Sequence, residues 1–379
     1  MVRAEYEPKG INQEEARHFL MVYEPFAIWL RNGEFDTCRP RSVHKKTRYR
    51  NNKSFSFKKL ASVYSVLIQC RQYLSSAGFG DTFLRFETTV QRPVEASGVG
   101  LHSGVPVRIR ILPAPPSTGI VFVRSDLDGF QIPASWRHVQ KVSYATSLMR
   151  QGVLISTTEH LLSVFYSMSV DNAYVEIDNL EVPILDGSGK PFVELIRAAG
   201  IREYRKRRRY LRIRRPVSVE GGGKRITILP SDRFLLTCEV YFPQPLVGRQ
   251  TLEIEVTPES YATEIAPART FGFEHELDQM RNMGLIRGAS LDNAVCFNRT
   301  SILNDGGLRF PDECCRHKAL DLIGDLALIG KPLLGHVIAE KAGHAMHFAL
   351  VNRIMNDPTL YEIVNYDQVF ERSAHALVS

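Results

Sequence analysis

The chain has 379 residues, 44% of them apolar and 23% charged, a globular composition long enough for two domains with separate cores. Its net charge of +7 hints at nucleic acid, but residues 1–36 carry four Lys/Arg against seven Asp/Glu, residues 37–80 ten against none, and the rest 34 against 34, so the neutral body argues against a duplex-binding surface. No run approaches the ~18 apolar residues of a membrane span, and six cysteines without a CxxC pair read as free thiols in a reducing compartment.

The segment 37–80 mixes Arg, Lys and Ser with apolar residues at helical spacing, the composition of a mitochondrial transit peptide, with a plastid or other organelle as the alternative and a basic linker as the plain reading. Its place behind 36 mildly acidic residues is unusual for a presequence. From Thr82 short alternating strands begin. Gly98, Gly100 and Gly104 precede a strand rather than a helix, so they fail as a dinucleotide loop and read as turn glycines, with His102 a polar residue of open role. In VLISTTEHLLSVFYSMSV the apolar positions follow a helical period behind a Ser/Thr cluster able to cap it. Glu159 and His160 fall in its first turn. They point about 100° apart, so they border one cleft rather than pair, or else serve as a dipole-stabilising acid and a half-buried histidine.

Gly189-Lys190 and Gly223-Lys224 lack the remaining residues of a phosphate loop. Nine cations against one acid over Arg202–Arg215 mark the expected domain boundary, read as a solvated linker at 205–215 or an edge strand. Strands then resume. A helix is expected over His275–Met283, ending at Gly284, with Leu277, Met280, Ile286 and Ala294 apolar enough to line a pocket or to join a core. In FPDECCRHKALDLIGDL, His317, Asp321 and Asp325 recur every four residues and so share a helix face. Imidazole and carboxylate suit zinc, which would need a further ligand from elsewhere; a solvated polar face is the alternative. The expected fold class is α+β, two tandem two-layer α/β sandwich domains.

From about Thr88 onward the ordered landmarks GVGLHSG, ISTTEHL, DNAYVEI, VPILDGSGKPF, ARTFGF, LRFPDE, RHKALDLIGDL and KAGHA resemble one family, the zinc-dependent UDP-3-O-acyl-N-acetylglucosamine deacetylases (LpxC) of lipid A synthesis. The resemblance implies an active site between two domains, 86–204 and 216–379, behind an extension of residues 1–85, with an acyl-passage insert at about 272–296. It implies one Zn2+, with Fe2+ the alternative in the cell, on His160, His317 and Asp321. Glu159 takes the place of the general base, His344 of the general acid, Asp325 of the carboxylate that orients it, and Thr270 of the oxyanion donor. Phe271 and Lys318 match substrate contacts, and Leu277, Ile286 and Ala294 fall in the passage. A UDP-sugar lipid substrate, no nucleic acid partner and a monomer are the expectations that follow.

Three positions depart from the family pattern. Leu229 stands where many members have a lysine, Ala145 replaces a cysteine near the metal, and Glu274 replaces an apolar residue near the passage. Leu229 and Glu274 motivate a second reading, an amidase or deacetylase with a shifted substrate; a regulatory or RNA-binding protein on an old fold is a third.

Overall fold

The computed structural model describes residues 84–369, so the expectations placed on residues 1–83 lie outside the described residues. The architecture is α+β. A five-stranded sheet in the first half runs Val94–Val99, Pro106–Pro113, Ala173–Ile177, Ile120–Arg124, Phe130–Pro133 in spatial order. Every second residue of Pro106–Pro113 from Val107 to Ile111 is buried while Arg108 and Arg110 face water, as a one-sided sheet requires. Helices α1 (Glu159–Ser167) and α2 (Lys190–Ala199) belong to this half.

The second half is a seven-stranded sheet centred on Leu333–Glu340, which pairs in parallel with Phe234–Phe242 and antiparallel with Lys224–Leu229. Helices α4 (Glu313–Leu326) and α5 (His344–Asn356) serve this half. Between them Phe271–Phe273 and Val295–Phe297 pair in parallel on either side of α3 (Glu274–Asn282), so the expected insert is a small βαβ unit. None of the α3 residues is buried, and the unit is held instead by Phe273, Val295, Phe297 and Cys314 with Phe242 and Phe271 against them.

Of the readings of the basic run, the structure keeps the strand and overturns the linker. Residues 205–215 are not a linker: Ile201–Arg207 pairs with Phe86–Val90, and Arg209–Ile213 lies between Leu333–Glu340 and Tyr361–Asn365. Arg209–Ile213 is buried on both faces, Tyr210 on one and Leu211 and Ile213 on the other, while three of the cations find acids. Arg208 meets Asp171 at 2.9 Å in the interior, Arg212 meets Glu362 at 2.7 Å, and Arg207 pairs with Asp367. Consequently one apolar core runs through both halves, from Ile109 and Phe165 to Leu320 and Ile354.

The halves meet where α1 packs on α4. Gly324 makes that approach feasible, because a Cβ there would lie 2.1 Å from the carbonyl oxygen of Glu159. The first turn of α1 therefore sits directly against the helix that carries His317, Asp321 and Asp325.

Candidate active site

The turn entering α1 is held in a conformation it would not choose alone. Thr157 has φ +56°, uncommon for a β-branched residue. Its hydroxyl donates to buried Glu181 at 2.8 Å, and the same carboxylate accepts the amides of His102 and Ser103. The Ser/Thr cluster supplies no side-chain cap at Thr158, the residue before α1; its hydroxyl donates to the Thr146 carbonyl at 3.1 Å and ties α1 to the neighbouring loop. The start of α1 is thus positioned by tertiary bonds rather than by capping.

His160, His317 and Asp321 present donor atoms within 4.8 Å of one another, all buried. Asp321 Oδ1 lies 3.4 Å from His317 Nε2 and 3.7 Å from His160 Nε2. Donors about 2.0–2.1 Å from a tetrahedral ion stand about 3.3 Å apart, so the set is close to that spacing. Charge agrees with geometry. Burial holds both imidazoles below their ordinary value, His160 at about 3, so both are neutral as ligation requires. Burial pushes the Asp321 carboxyl up, but Lys318, His317 and His344 outweigh it and hold it well below the usual range. His317 Nδ1 lies 3.1 Å from the Ala268 carbonyl oxygen, the backing contact usual for a metal-bound histidine, whereas His160 Nδ1 is buried with no hydrogen-bond partner among the described residues. The residues fit a divalent metal ion.

Around this set lies a cavity of about 610 Å³. Glu159, Thr270, Phe271, Lys318 and His344 border it, as do Leu277, Ile286 and Ala294 from the βαβ unit. Asp325 sits behind, bonded to His344 Nδ1 at 2.7 Å. Burial opposes a charge on His344, but Asp325 and then Asp321 outweigh it and lift the imidazole to about 9. Burial raises the Glu159 carboxyl to about 8 against the pull of His344, and Glu159 Oε2 accepts the Thr146 amide at 3.1 Å. Lys318 Nζ donates to Asp321 Oδ2 at 2.7 Å, with its side chain 25% exposed. Leu229, Ala145 and Glu274 do not line this cavity.

Sequence reasoning missed four contributors. Thr146 is one: besides its amide on Glu159, its hydroxyl donates to Asp325 Oδ1 at 2.5 Å. His347 is another, with Nδ1 2.8 Å from Asp325 Oδ2; its i,i+3 spacing from His344 was the available signal. Arg269 and Glu313 form a buried two-pronged ion pair, and the same carboxylate accepts the Arg269 amide at 2.9 Å, which fixes Ala268 and Thr270 to α4. The two cysteines beside His317 are packing residues: Cys314 and Cys315 are buried, and Cys315 donates to the Cys238 carbonyl at 3.2 Å.

Two neutral imidazoles and an anionic carboxylate, set between a carboxyl that accepts a proton once ionised and a histidine held charged, meet the demands of hydrolysing an unreactive bond. This places the protein among the metal-assisted hydrolases. Comparison with known proteins narrows that class. The pattern of the LpxC family, UDP-3-O-acyl N-acetylglycosamine deacetylase, matches residues 87–356. The UDP-3-O-acyl-N-acetylglucosamine deacetylase of Solibacter usitatus is 77% identical over 296 residues, 78% of this chain and 100% of that protein. The enzymes of that name from Myxococcus xanthus and Nitratidesulfovibrio vulgaris are each 46% identical, over 279 and 276 residues, 73% of this chain and 89% of theirs. The chain belongs to the LpxC family. No helix among the described residues is long and apolar enough to cross a membrane.

Proposed function

We propose that the protein hydrolyses the N-acetyl amide of a UDP-3-O-acyl-N-acetylglucosamine, releasing acetate and the free amine, a step of lipid A biosynthesis, with Zn2+ as its metal. The observation that carries this reading is the cavity itself, where a three-donor metal set, a carboxyl acceptor and an Asp-paired histidine border a common space with an apolar wall. Held by His160, His317 and Asp321, the ion supplies Lewis acidity, which polarises a carbonyl and lowers the pKa of water to about 7.

The remaining chemistry belongs to the chain. Glu159 accepts a proton from the water whose oxygen attacks the amide carbon. The Thr270 hydroxyl, at the cavity wall, donates to the oxygen that gains charge; one such donor is typically worth roughly 3–4 kcal/mol. His344, charged through Asp325, delivers the Nε2 proton to the leaving nitrogen as the C–N bond breaks. Leu277, Ile286 and Ala294 receive the acyl chain, and Phe271 and Lys318 flank the sugar.

The test is turnover of that substrate by the full chain, with acetate and amine counted, before and after removal of metal by a chelator. Release of both products, lost on chelation and restored by Zn2+ better than by Fe2+, is expected. No turnover with about one zinc bound per chain would overturn it. Import into a mitochondrion is a separate proposal resting on the composition of residues 37–80; diffuse cytosolic fluorescence from a reporter fused to residues 1–85 would defeat it. The monomer is likewise a proposal, checked by the mass of the full chain in solution.

A further inference from the structure

Asp325 receives three donors, and two of them, Thr146 and His347, have no part in the chemistry above. Thr146 Oγ1 lies 2.5 Å from Oδ1, while His344 Nδ1 and His347 Nδ1 lie 2.7 and 2.8 Å from Oδ2. His347 is 2% exposed, and burying an imidazole is costly unless its N–H is satisfied. The two separations are those of N–H···O bonds and are shorter than the ~3.3 Å between donors that share a tetrahedral ion, so the trio is a hydrogen-bond cluster rather than a second metal centre.

Its arrangement has a directional consequence. A carboxylate oxygen offers two lone-pair directions, and with His347 on one of them, His344 is confined to the other. With Thr146 on the second oxygen the carboxylate cannot rotate without breaking a buried bond. Nδ1 of His344 is then committed to Asp325, and its Nε2 faces the cavity, 3.8 Å from Asp321 Oδ2. The helix start supplies the placement, since α5 begins at His344 and His347 follows one turn later on the same side.

We propose that His347 is a positioning residue of the reaction, its Nδ1–H fixing the Asp325 carboxylate so that His344 aims its proton at the leaving nitrogen. This rests on the deacetylase reading. Burial keeps His347 below its ordinary pKa, so it serves as a neutral donor and adds no charge to the site.

The experiment compares the zinc-loaded full chain with His347→Leu, His347→Asn, Asp325→Asn and the double variant Asp325→Asn/His347→Leu. Losing a backing donor costs about 10–100-fold in kcat, so His347→Leu is expected to fall in that range with KM within twofold and zinc content unchanged. His347→Asn is expected to recover most of the loss, because its amide nitrogen stands as many bonds from the backbone as Nδ1 and can make the same bond. In the Asp325→Asn background His347→Leu should cost less than about twofold, its acceptor having lost its charge. Wild-type kcat in His347→Leu, an equal loss in both backgrounds, or no recovery by Asn would each overturn the proposal. A second readout is independent of turnover: the downfield imidazole N–H resonance of His344 should persist in His347→Asn and broaden or shift in His347→Leu. An inactive wild type would defeat the deacetylase reading, whereas an unchanged resonance in His347→Leu would defeat the positioning role.

Discussion

Glu159 and His344 face one cavity with opposite tasks: burial raises Glu159 to about 8, and against burial Asp325 raises His344 to about 9, so the base is ionised above the first value and the acid charged below the second. Glu159→Gln keeps the volume and the Thr146 amide contact but removes the proton acceptor. A fall in kcat of about 10²–10⁴ is expected with zinc retained, read by steady-state kinetics beside metal analysis. For His344 the sign of the pH dependence follows from its raised value. The imidazolium is present below about 9 and lost above it, so kcat/KM should decline on the alkaline side near that pH. Asp325→Asn removes the anion that raises it, and the alkaline limb should move to lower pH; a limb that stays put would detach His344 from the role of acid. Linkage gives the same direction for stability. The His344–Asp325 pair contributes fully below the unfolded histidine value of ~6.5, and its contribution is lost as pH rises through about 9.

At the scale of elements, the site depends on how closely α1 approaches α4. Gly324 stands between Asp321 and Asp325 in α4, and its missing side chain is the space that the backbone of Glu159 occupies. Gly324→Ala improves local helix propensity, yet it should destabilise by roughly 1–3 kcal/mol through overpacking against backbone that cannot yield. The displaced residues are Glu159 and His160, so zinc affinity and kcat should fall together, measured by metal titration and turnover. A neutral effect on both would mean that the helices can slide apart without cost. This element also shows how much of the site could be read in advance. The i,i+4 spacing of His317, Asp321 and Asp325 placed them on one face, and the STTEH segment located the start of α1. Thr146 gave no signal, because SYATS has neither periodicity nor charge and its role arises only where a loop of one half touches a helix of the other. The linker reading of 205–215 failed for a related reason: cation density outweighed the apolar Tyr210, Leu211 and Ile213, which are buried on two faces of the strand, and the acids that neutralise Arg208, Arg212 and Arg207 lie far away in sequence, at Asp171, Glu362 and Asp367.

For the described body as a whole, the metal set is divided, with His160 from the first half and His317 and Asp321 from the second. Polar bonds cross the same boundary: Ser163 Oγ and Tyr261 Oη lie 2.6 Å apart, and the Leu333 amide donates to Tyr166 Oη at 2.7 Å. Apolar packing crosses it too, since Val164 and Leu320 converge beside Gly189. Each large apolar side chain exposed by separation would forfeit about 1.5–3 kcal/mol. Val164 and Leu320 alone would then cost about 3–6 kcal/mol, a large share of the 5–15 kcal/mol of an entire domain. Neither half should therefore keep its fold when cut away at residues 205–215, all the more because that cut removes Arg209–Ile213 from the interior of the second sheet. Fragments 84–204 and 216–379 produced apart should each lack stoichiometric zinc, turnover and a cooperative thermal transition. The measurement is metal content with circular dichroism melting of each fragment against the full chain. A 216–379 fragment that melts cooperatively and binds zinc through His317 and Asp321 would show that the second half carries its own core, and that the contacts across α1 and α4 align the site without maintaining the fold.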